Sequence, residues 1–303
     1  MTVPHVTPEP PGPAWRAVLR LLGRLPQASL SRGMGQVADV PLPRRLRRPV
    51  LRAFAKAFGI DPSEAELPLE EYGSLNDFFV RRLRTGVRSW PETDDVLASP
   101  VDGTVGHAGV VQAGRIVQAK GRSYAVADLL GDAADAARHD GGLFLTLYLS
   151  PRHYHRVHAP ASGEIRRARH VPGSLLPVNA AAVSHVEDLF PRNERVVLFL
   201  DGPPGRVSVV AVGAYNVGRI STAFDPDWAG GEGPSWVTNR KDEPPPERAY
   251  DPPVRVRMGD EIMAFHLGST VVVLTEPGPW RLLPGVVPDA EVRLGGGLAR
   301  RGG

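Results

Sequence analysis

Residues 260–278, DEIMAFHLGSTVVVLTEPG, place an apolar segment and a β-branched one on either side of Leu267-Gly268-Ser269-Thr270. The second segment, TVVVL (270–274), reads as a strand, because β-branched side chains are restricted at χ1 and fit a pleated surface. A conformationally free Gly and a nucleophilic Ser therefore stand where a strand begins. Other short β-type runs precede it: TVGHAGVV (104–111), GRIVQAKG (114–121), GLFLTLYLS (142–150), SGEIRRARHV (162–171), ERVVLFLDG (194–202) and GRVSVVAVGAYNVGRIS (205–221). Gly, Pro and Asp signals separate them. One helical candidate, SYAVADLLGDAADAARH, spans 123–139, and residues 225–253 lack periodicity and read as a long loop. Residues 91–285 are predicted to form one β-rich domain, and 286–303, ending LGGGLARRGG, a flexible tail. The expected class is α+β with a mostly antiparallel β core.

Composition narrows the chemistry. The 303 residues can bury a sizeable core, and 33 Gly and 31 Pro favour short strands with many turns. Without cysteine, disulfides, Cys-ligated zinc and thiol nucleophiles are excluded, so covalent catalysis needs another nucleophile. No run approaches the ~20 apolar residues of a membrane span, and no charged segment followed by an apolar core opens the chain, so a protein kept on the cytoplasmic side is expected. Of 36 basic residues only Lys56, Lys120 and Lys241 are lysine, an arginine bias of composition rather than a sign of nucleic-acid binding.

The net charge of +3 is unevenly spread. Residues 1–60 hold ten basic side chains against Glu9 and Asp39, a balance of +8 that leaves −5 for the remainder. Residues 1–13 are Pro-rich and predicted to be disordered. AWRAVLRLLGRL (14–25) sets Arg16, Arg20 and Arg24 on one helical face. RRLRRPVLRAFAKAF (44–58) repeats the arrangement, with Leu46, Val50, Leu51, Phe54 and Phe58 opposite Arg44, Arg45, Arg48, Arg52 and Lys56. Residues 14–90 thus read either as basic amphipathic helices lying on anionic lipid or as solvated helices packed on the core. GSLNDFFVRRLRTGVRSW (73–90) predicts a further helix, capped at Ser74 or Asn76 and ending near Gly86.

The candidate chemistry lies in YLSPRHYHRVHAPASG (148–163), with His153, His155 and His158, and in ASPVDGTVG (98–106), with Asp102. Three histidines invite a metal site, but strand alternation puts His153 and His155 on one face and His158 on the other, so one flat strand could not aim all three at an ion. A structural role for them on a half-buried strand is the other reading. A further option joins distant segments, with Ser269 as nucleophile, His158 or His155 as base and Asp102 as the group that orients it. The flanks of Ser269 are not a G-x-S-x-G elbow. A Ser preceded by Gly could attack the carbonyl just behind it, which would cut the chain.

In this order and at these spacings, LNDFFVRRLRTGVR, SPVDGTV, YLSPRHYHRVHAP, LFPRNERVV and LGST closely resemble the phosphatidylserine decarboxylase family, over residues from about 14 to about 280. The resemblance implies that Ser269 attacks the carbonyl of Gly268, that the resulting ester eliminates, and that the product hydrolyses to a pyruvoyl group and ammonia. A β chain, 1–268, and an α chain, 269–303, would result. Asp102 and His158 match the residues that orient and deprotonate the serine. The pyruvoyl cofactor, made from Ser269 and needing no metal, would form a Schiff base with phosphatidylserine and release CO₂ to give phosphatidylethanolamine. His155 would protonate the carbanion and contact the substrate carboxylate. For both histidines to reach one site, the backbone around Arg156 must leave a regular strand.

The match departs from the family at Met263, where Gly is frequent, and at His153, where Asp is frequent; neither removes a nucleophile, base or orienter. Asn193 is open to two readings, a head-group ligand or a turn entering the next strand. A lipid substrate gives the basic N-terminal helices a purpose, peripheral attachment to the cytoplasmic face of the cell membrane through its anionic surface. Homodimers are common in the family. The alternative is a serine hydrolase that uses Asp102, His158 and Ser269 without self-cleavage; a non-enzymatic lipid-binding module is a third reading.

Overall fold

The computed structural model describes residues 33, 35–119, 121–203, 205–215, 218–228, 236–240, 244–266, 269–278 and 280–302, with backbone alone at 180, 181 and 269. The N-terminal segment 1–13 and the amphipathic run 14–25 lie outside the described residues.

An eight-stranded antiparallel sheet carries the fold, in the order β11 (Glu247–Val256), β7 (Gly163–Val171), β8 (Arg195–Gly202), β9 (Gly205–Val212), β13 (Ser269–Thr275), β5 (Leu143–Leu149), β2 (Gly103–Val110), β15 (Glu291–Val292). Strand β13 is paired on both sides, with Val272 opposite Val210 of β9 and Thr146 of β5. Val271, Val272, Val273 and Leu274 are fully buried, because both faces of the sheet are covered. Burial at this level is worth about 1.5–3 kcal/mol per side chain.

One face, with Val271 and Val273, packs on a second sheet of β10 (Ile220–Thr222), β12 (Glu261–Phe265) and β6 (Arg156–His158), through Val157, Ile220, Met263 and Phe265. The other face, with Val272 and Leu274, meets the hairpin β3 (Arg115–Ala119)–β4 (Arg122–Ala125) and short helices. The expected helix at 123–139 is replaced by the end of β4, α3 (Val126–Leu130) and α4 (Ala133–Ala137). Gly131, at φ 71°, ends the first helix, and the Asp132 side chain caps the second by accepting from the Asp135 N–H. Helices α5 (Ala180–His185) and α6 (Leu189–Arg192) complete this layer.

The expected tail and the expected long loop are also corrected. The tail is ordered: β16 (Gly297–Arg301) lies between β1 (Val96–Ala98) and β14 (Trp280–Leu282), with Leu298 and Ala299 fully buried. Its Gly-rich composition hides a strand held by distant partners. The last seven residues of the expected loop 225–253 belong to edge strand β11, irregular between Ala249 and Val254 where Pro252 and Pro253 fall. Proline is tolerated there because an edge strand leaves one side unpaired.

N-terminal to the sheets, helix α1 (Arg44–Phe58) has the bounds its periodicity predicts and ends at Gly59 in the left-handed conformation. Leu51 and Ala55 pack with Ile60, Ala65, Leu69, Tyr72 and Phe78 in a small separate core. Leu46 and Phe58, placed on the apolar face by the sequence pattern, are instead 50% and 46% exposed beside the exposed Arg44, Arg45, Arg48, Arg52 and Lys56. The helix expected to run toward Gly86 is only α2 (Leu75–Phe79), capped by Ser74. Beyond Val80 the chain extends, since Leu83 bridges Ala65 and backbone bonds join Glu66 to Arg82 and Arg84 to Glu64.

Candidate active site

Register brings the chemical segments to one end of the central sheet. Thr104 of β2 faces Tyr148 of β5, and Ser269 of β13 faces Leu149. Asp102, just before β2, and the backbone of Ser269 thus flank the end of β5, with their strands about 10 Å apart at two strand spacings. Past β5 the chain turns through Ser150–Tyr154 and returns as β6 across the face of the sheet. There the Phe265 N–H donates to the His155 carbonyl at 2.9 Å, so His155 lies against the chain three residues before Gly268. Residues 267 and 268, and with them the Gly268 carbonyl, lie outside the described residues.

His155 lies outside regular strand, whereas Arg156, Val157 and His158 lie within it. His155 precedes the three-residue β6, and the partner β12 is bulged between Glu261 and Met263, opposite His158 and Val157. Met263, one of the two departures from the family pattern, is fully buried beside this bulge.

His155 is fully buried. Its Nδ1–H donates to the His153 carbonyl at 2.8 Å, its ring lies 4.1 Å from Phe79, and its Nε2 has no hydrogen-bond partner among the described residues. Burial pushes its pKa down to about 3, so the ring is neutral with a free lone pair on Nε2. His158 is set in the same tautomer: Nδ1–H donates to the Gly259 carbonyl at 2.7 Å, and Nε2 accepts from the Tyr154 hydroxyl at 3.3 Å. Its ring sits between Trp90 and Tyr154, at 5.8 and 5.7 Å, and burial lowers its pKa. It lines an open cleft of about 470 Å³ together with Arg82, Arg84, Arg88, Trp90 and Tyr154.

The Asp102 carboxylate takes two hydrogen bonds from Arg88, at 3.0 and 2.6 Å, and one from the Leu294 N–H at 2.8 Å. Arg88 also grips Glu64 at 3.1 and 2.8 Å. Burial works against its charge, but the bonds to Asp102 and Glu64 outweigh that and raise its pKa. Among the described residues no hydrogen bond joins Asp102 to His155 or His158; the nearest backbone link is the His158 N–H donating to the Pro100 carbonyl at 2.9 Å. His153 is buried and bonded to Ser150 and Glu291.

Asn193 is fully buried, with Nδ2 donating to the Leu176 and Gly213 carbonyls and Oδ1 accepting from the Leu176 N–H. Both donors brace backbone, leaving none for a head group, so the geometry is that of the turn. Among the described residues no three His, Asp or Glu side chains converge as metal ligands. The sequence reading gave no role to Arg88, Glu64 or Tyr154. Arg88 and Tyr154 stand inside the quoted motifs, but nothing local marks their partners, which are 14 and 4 residues away.

The family model for phosphatidylserine decarboxylase matches residues 75–300. The chain belongs to the phosphatidylserine decarboxylase family. A phosphatidylserine decarboxylase proenzyme of Anaeromyxobacter sp. (strain K) is 45% identical over 280 residues, covering 92% of this chain and 96% of that protein. Proenzymes of Myxococcus xanthus (strain DK1622) and Acidovorax ebreus (strain TPSY) are 39% and 41% identical, covering 91% and 92% of this chain and 95% of each relative. The match to the family model takes in α2, strands β1 to β15, all but the last residue of β16, and both histidines of the candidate site. As a member of this family the chain is a decarboxylase.

Proposed function

We propose that the chain is a self-processing decarboxylase that converts phosphatidylserine to phosphatidylethanolamine and CO₂. The observation that carries the reading is the position of Ser269, at the head of a strand hydrogen-bonded on both sides, with His155 fixed against the segment that leads into it. In maturation the Ser269 hydroxyl oxygen bonds to the Gly268 carbonyl carbon, the peptide C–N bond breaks, and the hydroxyl proton passes to the freed nitrogen, which becomes an amine. Loss of the Ser269 α-proton then expels Gly268 as a carboxylate, and water replaces the nitrogen, releasing ammonia. The pairing of β13 with β5 and β9 supports retention of the new α chain, since none of those bonds is cut.

The two imidazoles are in the neutral form a general base needs. His158 is assigned to deprotonate Ser269, with Asp102 holding the neighbouring strand end through Arg88 and Leu294. His155 Nε2, buried and unpartnered among the described residues, is assigned to carry the proton delivered to the carbon that loses CO₂. When formed, the pyruvoyl group supplies a carbonyl that takes up the substrate amine and accepts the electron pair left by CO₂. The exposed basic face of α1, with Leu46 and Phe58 beside it, supports peripheral docking on the anionic cytoplasmic face of the membrane.

The test is the intact mass of the purified protein beside Ser269→Ala. Two fragments dividing at 268/269, the smaller with a pyruvoyl N-terminus, are expected from wild type and a whole chain from the variant. An uncut, active wild type would sink the reading in favour of a serine hydrolase.

A further inference from the structure

The segment leading into Gly268 is anchored by His266, the last described residue before it. Strand β12 ends at Phe265, and the His266 N–H donates to the Arg219 carbonyl at 3.0 Å. The imidazole is held from three sides. Asn76 Nδ2, from α2, lies 3.2 Å from Nδ1; Ser221 Oγ, from β10, lies 3.1 Å from Nε2; the Trp236 ring is 5.7 Å away. An amide nitrogen can only donate, so Nδ1 is the acceptor and the proton sits on Nε2, which donates to Ser221. Burial, with Arg219 next in effect, pushes the His266 pKa down to about 4, in keeping with a neutral ring whose hydrogen bonds have fixed directions. The charged groups around it are Arg219, Asp39 and Arg156, and Arg219 is itself ion-paired to Asp39 and stacked on Trp236 at 4.1 Å.

This arrangement has no counterpart in the roles given to Asp102, His155 and His158. Attack of a hydroxyl on the preceding carbonyl requires the reacting atoms to be held about 3–3.5 Å apart, and a misplacement of about 1 Å costs on the order of 10²-fold in rate. Downstream, the Ser269 backbone is paired with Leu149 of β5, and from Thr270 onward β13 is paired on both sides. Upstream, Gly268 has no side chain by which to be held. His266 is two residues before it, with its ring tied to the N-terminal region through Asn76 and to the crossing sheet through Ser221.

We propose that Asn76 and His266 are positioning residues for self-cleavage: their hydrogen bond anchors the upstream side of the Gly268–Ser269 bond, so the N-terminal helical region completes the processing site. This rests on the reading of Gly268–Ser269 as the bond that is cut.

The experiment follows the cleavage rate of freshly purified precursor by intact mass in wild type, Asn76→Ala, His266→Ala, His266→Leu, His266→Asn and the Asn76→Ala/His266→Ala pair. The two alanine variants are expected to cut more slowly by about 10- to 100-fold, and the pair no more slowly than the slower single. Acting as one unit, the two residues give non-additive losses. His266→Asn, whose Oδ1 can accept from Asn76, recovers rate relative to alanine; His266→Leu, which fills the space without an acceptor, does not. In the whole Ser269→Ala precursor, ¹⁵N shifts of His266 are expected to show the Nε2–H tautomer, and loss of that signature in Asn76→Ala. Wild-type rates in all variants, equal rescue by Leu and Asn, or an Nδ1–H tautomer would overturn this inference alone. A wild type that never cuts would overturn it together with the reading on which it rests.

Discussion

The central sheet and the N-terminal helical region are built to different standards. In the sheet, β13 has both edges paired and both faces covered, and four successive side chains are fully buried. The N-terminal region has a core of seven buried residues, and α1 leaves most of its circumference in solvent. The sheet holds atoms still for chemistry; the helical region presents a basic, partly apolar surface and reaches the site through a few polar contacts. Arg88, between Glu64 and Asp102, and Asn76, on His266, are two of these. The smaller region is attached by specific hydrogen bonds more than by shared apolar core.

Removing Arg88 tests this attachment most severely. Arg88→Ala leaves two largely buried carboxylates facing each other without a cation, and a loss of about 3–5 kcal/mol in urea unfolding is expected. A loss below about 1 kcal/mol would mean the two regions are held together by something else. Within the sheet, Leu274→Ala is expected to cost about 2–5 kcal/mol, because a two-sided core cannot close over the cavity. Leu51→Ala removes the same atoms from the smaller core, where local opening is the easier response. Hydrogen exchange should then quicken in residues 44–80 while β13 keeps its protection, and uniform quickening would erase the distinction between the regions.

On the outer face of α1, Arg44→Ala, Arg48→Ala and Arg52→Ala together should leave the melting temperature nearly unchanged. They should weaken binding to phosphatidylserine-containing vesicles by about 3 kcal/mol, roughly a hundredfold, at about 1 kcal/mol per charge. Binding that ignores these charges and added salt would remove the docking role. Acid acts through two buried histidines where the regions meet. His155 and His266 are pushed down to about 3 and about 4 by burial, so between those values and 6.5 the unfolded chain binds protons that the folded chain does not. Stability is therefore full above pH 6.5 and declines as pH falls toward 4, and a melting temperature flat from pH 7 to 4.5 would contradict their burial.

Much of the molecule is legible in the chain itself. The β-branched run after Ser269, the periodic Arg and Leu of 44–58 and the ordered motifs around Asp102, His155, His158 and Ser269 are local patterns, and local patterns report strand, helix and chemical type. Where the sequence misled, the deciding partner was remote. LGGGLARRGG looks frayed until β1 and β14 flank it, and ERAYDPP looks like loop until β7 pairs with it. The helix foreseen toward Gly86 stops at Phe79 because Leu83 finds Ala65.

Which residues could do the chemistry was thus set by the sequence alone, through the nucleophile after a glycine and the paired histidines. The tertiary structure alone decided the state of each: that Asp102 is gripped by Arg88, that Asn193 is spent on backbone, that both histidines carry their proton on Nδ1, with Nε2 open in His155 and bonded to Tyr154 in His158, and that His266 is held by Asn76. Burial and hydrogen-bond direction fix a protonation state, and both depend on neighbours that the chain brings from up to 190 residues away.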